Sequence, residues 1–243
     1  MRYLGLIAGL AWLAAAHATE PAGPYVVAIS DTHPFAPGIV TFLTEAYRRA
    51  GLSIEVKAFP PARSVELANR GEADAEAARV PDAMTERDNL IAVPEPLGRS
   101  ETFAFTTGAA IPIDGWESLR AYHLCVMLGD LITMKRTEGM DRQTAHDEAS
   151  EFRMLKSGRC DVAIADVAAW LIIDQGHLGP IRMIEKPIQA FPAFHYVNKR
   201  HADLVPALAK AFHDLHEEGF TQKLLTPYLE KIADSRARNS VAP

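Results

Sequence analysis

Residues 71–97, GEADAEAARVPDAMTERDNLIAVPEPL, contain the pattern that decides the fold. A helix-like run just before them (residues 63–70, RSVELANR) stops at Gly71, where a helix end often needs a left-handed residue. Asp74 then opens a short run of small residues that reads as a strand. The order of helix, glycine, two residues, aspartate and strand is typical of an α/β unit.

The same order of features returns in the second half of the chain. Residues 151–157 read as helix, Gly158 stops it, and Asp161 opens the apolar run DVAIAD. We expect Asp74 and Asp161 to be structural residues that close the turn after each glycine. The repetition predicts two α/β lobes that are built alike.

Composition is that of an ordinary globular protein. The chain has 243 residues, a formal net charge of −6 and 48% hydrophobic residues, enough for one large core or two smaller ones. Binding of nucleic acid needs a concentrated basic face, whereas Lys and Arg are scattered among acids here, so we expect no nucleic-acid partner. Strands and helices alternate from residue 25 onward, which predicts lobes with mostly parallel sheets flanked by helices.

The N-terminus has the features of a secretory signal peptide. Arg2 precedes a short apolar run, residues 4–16, and Ala16-His17-Ala18 supplies an A-x-A cleavage site. An anchor that is never cleaved is the alternative. We predict that residues 1–18 are a signal peptide and that the product is exported to the periplasm. No later apolar run reaches the roughly 20 residues of a membrane span, so we expect a protein that is not embedded in the membrane.

Turn and linker signals divide the rest of the chain. A linker interrupted by Pro112 follows the strand-like residues 101–107, and a last strand is predicted near residue 194. We therefore expect a discontinuous lobe one, residues 25–107 and 193–235, with lobe two, residues 108–192, inserted into it. The residues after about 233 are expected to fray.

Cys125 and Cys160 both fall in or beside predicted strands of lobe two. A disulfide suits an exported protein, provided that the two Cα atoms come within about 7 Å of each other. Two buried free thiols are the alternative, and the sequence leaves the choice open.

Several short motifs together resemble a known family, the periplasmic solute-binding proteins of family 3. They are Pro34-Phe35, Gly71-x-x-Asp74, Thr85-Glu86-Arg87, Gly158-Arg159-x-Asp161 and Asp166. The resemblance covers residues 25–232 and implies the two-lobed type 2 periplasmic-binding fold. It also implies capture of a small, carboxylate-bearing, amino-acid-like solute between the lobes and delivery to the inner-membrane permease of an ABC-type importer. We expect a monomer without a cofactor.

Two arginines are candidates for the ligand carboxylate, because a guanidinium can form two parallel charged hydrogen bonds with it. Arg79 lies near the carboxyl end of its predicted strand, where open α/β sheets bind ligands. Glu76 is expected on the opposite face of that strand, so Arg79 needs an external anion. Arg87 is the nearest match to the turn that holds the carboxylate in the resembling proteins. For both arginines a surface ion pair is the alternative.

Asp166 matches the lobe-two acid that binds the ligand ammonium in the resembling proteins, with a helix N-cap as the alternative. Asp130 follows a lobe-two strand and either faces the cleft or caps a helix, the second being favoured. His33 occupies the place where the resembling proteins stack an aromatic ring on the ligand. Phe35 and Phe59 are candidates for an apolar wall, or else core residues.

Other functions are less well supported by the sequence. It contains no recognisable nucleophile, phosphate-loop or metalloprotease motif. His213 and His216 share a helix face, but without a third ligand a solvated face is favoured over a metal pair. Some proteins of the resembled fold are periplasmic enzymes, such as cyclohexadienyl dehydratases, so a lyase is the enzymatic alternative. A receptor sensor domain is a third hypothesis, and it requires a membrane span or signalling domain.

Overall fold

The computed structural model describes residues 23–31 and 35–241 of the chain. The predicted signal peptide, residues 1–18, and His33 lie outside these residues. Among the described residues, no helix is both long and apolar enough to span a membrane.

Lobe one combines a sheet with helices on its faces. Its strands are β1 (Tyr25–Ser30), β2 (Ile54–Phe59), β3 (Ala75–Arg79), β4 (Leu90–Ala92) and the second half of β10 (Gln189–Asn198). Its helices are α1 (Ala36–Arg49), α2 (Pro61–Arg70) and α6 (Val205–Glu217). β1 runs parallel to β2 and β3, and β10 runs antiparallel to β3 and β4. The core lies between the sheet and the apolar faces of α1 and α6, around Leu43 and Phe212.

Lobe two repeats this construction. Its strands are β5 (Gly98–Thr106), β6 (Leu124–Met127), β7 (Arg142–Ala145), β8 (Val162–Asp166) and β9 (Arg182–Met183), and its helices are α3 (Leu131–Arg136), α4 (Glu148–Lys156) and α5 (Ala169–Gln175). β6 runs parallel to β7 and β8, and β5 runs antiparallel to β8 and β9. Phe105, Phe152 and Trp170 form the centre of its largest core cluster. The predicted two-lobed α/β class is therefore confirmed.

The repeated glycine–aspartate pattern has the same structural role in both lobes. Gly71 and Gly158 end α2 and α4 with φ of 75° and 70°, a conformation that favours glycine. Asp74 accepts a hydrogen bond from the backbone N–H of Val26 at 2.7 Å, next to the start of β1. Asp161 accepts one from the N–H of His123 at 2.9 Å, just before β6. Each aspartate thus ties one strand to its parallel neighbour, and the prediction of a structural role is confirmed.

The connection between the lobes lies elsewhere than expected. β5 was expected in lobe one, within residues 25–107, but it pairs with β8 and β9, and Phe105 packs in the lobe-two core. β10 pairs with β5 through residues 189–193 and with β3 and β4 through residues 194–198. One continuous strand therefore carries the hydrogen bonding from one lobe to the other. The sequence could not show this, because a strand's pairing partner depends on topology and not on local pattern.

The C-terminal helix α7 (Phe220–Asn239) also departs from expectation. Residues 193–235 were expected to belong to lobe one and the chain after about 233 to fray. Instead α7 is helical to Asn239 and packs along α5, and Ile232 joins the lobe-two core. Asp174 of α5 accepts hydrogen bonds from Arg238 and Asn239, which fixes the end of the helix. The segment is mostly polar, so its sequence does not show that its few apolar residues pack against lobe two.

Cys125 of β6 and Cys160, which precedes β8, form a disulfide with a Cα–Cα distance of 5.7 Å. Parallel pairing of β6 with β8 brings the two residues together. The structure therefore decides the alternative that the sequence left open.

Candidate functional site

A cavity of about 530 Å³ lies between the two lobes. Lobe one lines it with Ser30 at the end of β1, Phe35 at the start of α1 and Arg79 at the end of β3. Lobe two lines it with the end of β8 and the first turns of α3 and α4. Polar groups converge here because the carboxyl ends of parallel strands and the N-termini of the following helices meet at one edge. The size is that of a small-molecule site.

One side of the cavity is apolar. Phe35 packs edge-on against Tyr228 of α7 with ring centroids 5.7 Å apart, and Leu225 and Leu229 of the same helix extend this surface. Phe59 was the other aromatic candidate. It lies at the end of β2, packs against a small core cluster of alanines beside α2, and is not among the lining residues. The structure thus places Phe35 at the cavity and Phe59 away from it.

Arg79 lines the cavity, but its side chain already has several protein partners. Nη2 donates to the carbonyl oxygen of Pro61 at 3.0 Å and to the hydroxyl of Ser64 at 2.8 Å. Nη1 donates to the carbonyl oxygen of Ala78 at 3.1 Å. The side chain is 15% exposed. Arg79 is therefore held in place by α2, which presents a fixed guanidinium at the cavity edge.

The expectation that Glu76 faces away from Arg79 is wrong. Glu76 Oε1 lies 3.1 Å from Arg79 Nη2, and Glu76 is completely buried. Alternation along a strand fixes the direction of Cβ, whereas the long arginine side chain folds back at the end of β3, where the register with β10 shifts. Burial raises the pKa of Glu76 to about 7, against the opposing influence of Arg79 and Ser64. Arg79 consequently has an internal counter-ion whose charge is only partial near neutral pH.

Arg87 is not among the residues that line the cavity. It follows Glu86, which has a left-handed backbone with φ of 67°. Nη1 reaches the carbonyl oxygen of Glu86 at 3.5 Å, and the buried Nε has no hydrogen-bond partner among the described residues. The structure therefore separates the two candidate arginines, with Arg79 at the cavity and Arg87 outside it.

Both lobe-two aspartates line the cavity. Asp166 ends β8, and its Oδ1 accepts a hydrogen bond from the N–H of Ala168 at 2.6 Å, so it also shapes the turn into α5. Asp130 is the N-cap of α3: it accepts the N–H of Ile132 and of Thr133 at 3.1 Å and the Thr133 hydroxyl at 2.6 Å. Burial raises the pKa of Asp130, and Asp166 adds to this effect. The favoured N-cap role of Asp130 is confirmed, and it coexists with a position at the cavity.

Two glutamates that line the cavity, Glu148 and Glu151 in the first turn of α4, are not among the residues predicted from the sequence. Burial raises the pKa of Glu148 to about 8, with further contributions from Asp166 and Asp130. Burial also raises the pKa of Glu151 well above its ordinary value. Acids in a first helical turn are usually explained by the helix dipole, so nothing in the sequence marked these two. Strand β7, which has the polar sequence RQTA, directs the start of α4 to the ligand edge of the sheet.

Comparison with known proteins establishes the fold. No family model matches the chain. An uncharacterized protein of Shewanella oneidensis is 22% identical over 192 residues, covering 74% of this chain and 71% of that protein. Among solved structures, a histidine kinase sensor domain with similarity to periplasmic binding proteins matches with a TM-score of 0.73 and 17% identity, over 85% of this chain and 96% of the other. The chain has the periplasmic-binding-protein fold.

Two further structures show that proteins with different roles share the periplasmic-binding-protein fold. The substrate-binding protein of an amino acid ABC transporter matches with a TM-score of 0.68 and 16% identity, over 86% of this chain and 100% of that one. An ancestral amino-acid-binding protein, a precursor of cyclohexadienyl dehydratase, matches with a TM-score of 0.66 and 14% identity, over 85% and 95% of the two chains. At these identities the likeness concerns the fold alone, so function has to be argued from the cleft.

Proposed function

We propose that the chain is an exported solute-binding protein that captures a small, amino-acid-like solute between its lobes and delivers it to the permease of an ABC-type importer. The observation that carries this proposal is the cavity of about 530 Å³, which is lined by charged groups from both lobes. A site shared by two lobes suits capture by closure, since the solute is fully desolvated only when the lobes meet. The likeness to an amino acid ABC transporter's substrate-binding protein supports the same role.

Export to the periplasm is part of this proposal. Its support is the predicted signal peptide in residues 1–18 together with the Cys125–Cys160 disulfide, because disulfides persist in oxidising compartments. A monomer is the proposed form of the protein.

Arg79 is the proposed anchor for a carboxylate of the solute. It lines the cavity with a guanidinium held by Pro61 and Ser64, and a preorganised guanidinium loses little freedom when it binds an anion. Glu76 offsets its charge only in part, since burial raises the pKa of this neighbour to about 7. Arg87 is the fallback anchor and would have to reach the cavity by moving.

A thermal-shift screen tests the proposed function directly. The screen covers free amino acids, small carboxylates and polyamines, because a solute that binds only the folded state raises the melting temperature. We expect at least one compound to raise it in proportion to the logarithm of its concentration. Complete absence of a shift across all three classes would contradict the proposed function.

A lyase is the second candidate function, and one observation favours it. Glu148 lines the cavity with a pKa raised to about 8, and an acid that keeps its proton near neutral pH is what a general acid requires. The similar ancestral protein is itself a precursor of a dehydratase. NMR of the solute after incubation with the protein distinguishes the two functions, since binding leaves its spectrum intact and turnover yields product signals.

A further inference from the structure

The lobe-two wall of the cavity carries acids that lack cations. Asp130, Glu148 and Glu151 all line the cavity. The two arginines in the lining are already paired, Arg79 with Glu76 at 3.1 Å and Arg99 with Glu101 at 3.0 Å. Within the described residues, no Lys or Arg forms an ion pair with Asp130, Glu148 or Glu151. The wall therefore holds an excess of acidic groups that this part of the protein does not neutralise.

Glu151 is buried with one oxygen that has no partner among the described residues, and Glu148 is half-buried. Glu151 is 1% exposed, and its Oε1 accepts the backbone N–H of Ile164 at 2.9 Å. Its Oε2 is buried without a hydrogen-bond partner among the described residues. The Glu148 side chain makes no hydrogen bond or ion pair with any described residue. A buried carboxyl oxygen without a partner, as at Glu151, is costly and is rarely kept unless something binds it.

The surroundings of these acids raise their pKa values. Burial is the largest cause of the raised pKa values, about 8 for Glu148, and the acids raise one another: Asp130 acts on both glutamates and Asp166 acts on Glu148. In the part of the chain that the structure describes, several cations near this wall have other partners. Arg142 of β7 donates hydrogen bonds to the carbonyl oxygen of Met134 and the hydroxyl of Thr137. On α4, Arg153 donates to the hydroxyl of Ser150 and Lys156 donates to the carbonyl oxygen of His177. Arg238 of α7 is paired with Asp174 of α5.

We propose that Glu148 and Glu151, together with Asp130, form a subsite that takes an ammonium or guanidinium group of the captured solute in exchange for protons. This inference rests on the proposed function, because it assumes that the cleft binds a solute. An organic cation fits the observations better than a metal ion, since the described residues contain no group of three or more acidic, His or Cys side chains arranged to hold a metal. A cationic group of the solute would donate a charge-assisted hydrogen bond to Glu148 and would have the charge opposite to that of the acidic wall.

The subsite assigns an orientation to the solute. Arg79 lies in lobe one, whereas Glu148 and Glu151 lie in lobe two. A solute with a carboxylate at one end and a cation at the other would therefore contact both lobes with complementary charge. Electrostatic complementarity of this kind selects against neutral and purely anionic compounds, because an anion beside the acidic wall is repelled.

Isothermal titration calorimetry with matched pairs of probes tests the subsite. The probes are arginine, lysine and putrescine, each compared with a compound of similar shape whose end group is neutral: citrulline, norleucine and 1,4-butanediol. We expect one or more of the cations to bind at least about 10-fold more tightly than its neutral counterpart. Repeating the titration in two buffers of different ionisation enthalpy counts the protons released, and about one proton or more is expected at pH 7. Affinity should rise steadily from pH 6 to pH 8, since deprotonated acids bind the cation.

Substitution of the glutamates by glutamine identifies the residues responsible. Glu148→Gln and Glu151→Gln should each weaken cation binding about 10-fold or more and lower the number of protons released. Glu138→Gln is the matched control: it removes one exposed acid of lobe two that does not line the cavity, and binding should stay unchanged. Melting temperatures and far-UV circular dichroism show whether each variant is folded.

The outcomes separate this inference from the proposed function. A neutral or anionic solute that binds equally well to wild type and Glu148→Gln would leave the proposed function standing and overturn the cation subsite. Cation binding without proton release, or with equal affinity for the neutral counterpart, also overturns it. If no solute of any charge binds in the calorimeter or raises the melting temperature, the proposed function itself fails.

Discussion

The ion pair between Arg79, the candidate anchor, and Glu76 should contribute to the stability of lobe one. Removal of either side chain leaves the charge of the other buried without its counter-ion. Arg79→Gln should cost about 3 kcal/mol of unfolding free energy at pH 8. An acid whose pKa rises on folding, from 4.5 to about 7 for Glu76, binds more protons when folded, so its contribution to stability falls as pH rises through that window. The loss should therefore be smaller at pH 5.5, which urea unfolding at both pH values measures.

The double variant Glu76→Gln/Arg79→Gln is the control for this prediction. It removes both charges, so most of the lost stability should return. Far-UV circular dichroism checks that the double variant is folded, and its solute binding then reports on the anchor; we expect that binding to be lost. Unchanged affinity in the double variant would show that Arg79 does not hold the solute. Equal free energies of unfolding for Arg79→Gln and wild type at both pH values would show that the ion pair does not stabilise the protein.

His195 predicts a pH dependence of the opposite sign. It is fully buried between the lobe-one sheet and its helices, with Nδ1 3.1 Å from the carbonyl oxygen of Ala77 and Nε2 2.9 Å from the Tyr47 hydroxyl. Burial lowers its pKa from 6.5 to about 4. The unfolded chain then binds more protons between these values, so stability present above pH 6.5 is lost as pH falls towards 4.

A single substitution isolates this contribution. Wild type should lose about 3 kcal/mol more than His195→Gln when unfolding is compared at pH 7 and pH 4, as expected for a shift of between two and three pKa units. Both proteins contain Glu76, so its contribution, which has the opposite sign, cancels when their pH-dependent changes in unfolding free energy are subtracted. Parallel curves for wild type and His195→Gln over this range would contradict the prediction.

Those secondary-structure elements whose ends follow a local rule could be predicted from the sequence. Gly71 and Gly158 need left-handed backbones and mark helix ends, and Asp74 and Asp161 follow them at a fixed distance. These positions predict two similar α/β units, although they do not show how the strands of the units pair.

The misses concern elements whose existence depends on partners. β7 (Arg142–Ala145) has the polar sequence RQTA and forms only because β6 offers a parallel edge. Without β7, the position of Glu148 at the ligand edge could not be inferred. Arg79 lines the cavity, but its contact with Glu76 depends on a side-chain conformation that the alternation of the strand does not determine.

The disulfide should stabilise lobe two. Cys125 and Cys160 are 35 residues apart in sequence and both belong to its largest core cluster. The double variant Cys125→Ala/Cys160→Ala should lose about 3 kcal/mol of unfolding free energy, mainly because the unfolded chain gains freedom. Guanidinium unfolding measures this, and a reducing agent should destabilise wild type without affecting the double variant. A reducing agent without effect on wild type would speak against the bond.

Helix α7 should contribute to lobe two through Ile232, which is 4% exposed in the lobe-two core. Ile232→Ala should lower the unfolding free energy by about 3 kcal/mol, the usual loss when a buried aliphatic side chain is truncated. Glu230→Ala, an exposed substitution two residues earlier in the same helix, is the control and should stay within about 0.5 kcal/mol of wild type. Similar losses in both variants would mean that burial of Ile232 in the lobe-two core does not account for the lost stability.

At the scale of the whole molecule, two connections besides the β5–β10 crossing oppose free opening of the lobes. Helix α7 packs on α6 of lobe one and α5 of lobe two. Pro227 interrupts it, and the carbonyl of Lys223 thus lacks the usual donor four residues on, which allows a bend. Across the mouth of the cleft, Asp82 in the short 3-10 helix after β3 pairs with Arg136 of α3. The structure therefore shows the lobes in contact.

The Asp82–Arg136 pair should favour the closed arrangement and hence solute binding. Both side chains are partly exposed, at 33% and 44%, so the pair is worth only about 0.2–1 kcal/mol. Asp82→Asn should therefore weaken the affinity of any solute found by the thermal-shift screen about 2- to 5-fold, mainly through faster dissociation, because closure is the step it disfavours. Stopped-flow displacement measures the rate, and small-angle scattering should show a larger radius of gyration for the solute-free variant than for solute-saturated wild type.

The exchanged pair Asp82→Arg/Arg136→Asp restores the attraction and should return the dissociation rate towards that of wild type. Glu117→Gln is a second control: it removes an exposed acid beside the same interface that pairs with Arg120 within lobe two, and it should leave the rate unchanged. If solute binding leaves the radius of gyration of wild type unaltered and Asp82→Asn releases solute at the wild-type rate, the cavity is a rigid pocket. Capture then takes place without closure, because the contact across the cleft mouth contributes the same free energy with and without solute.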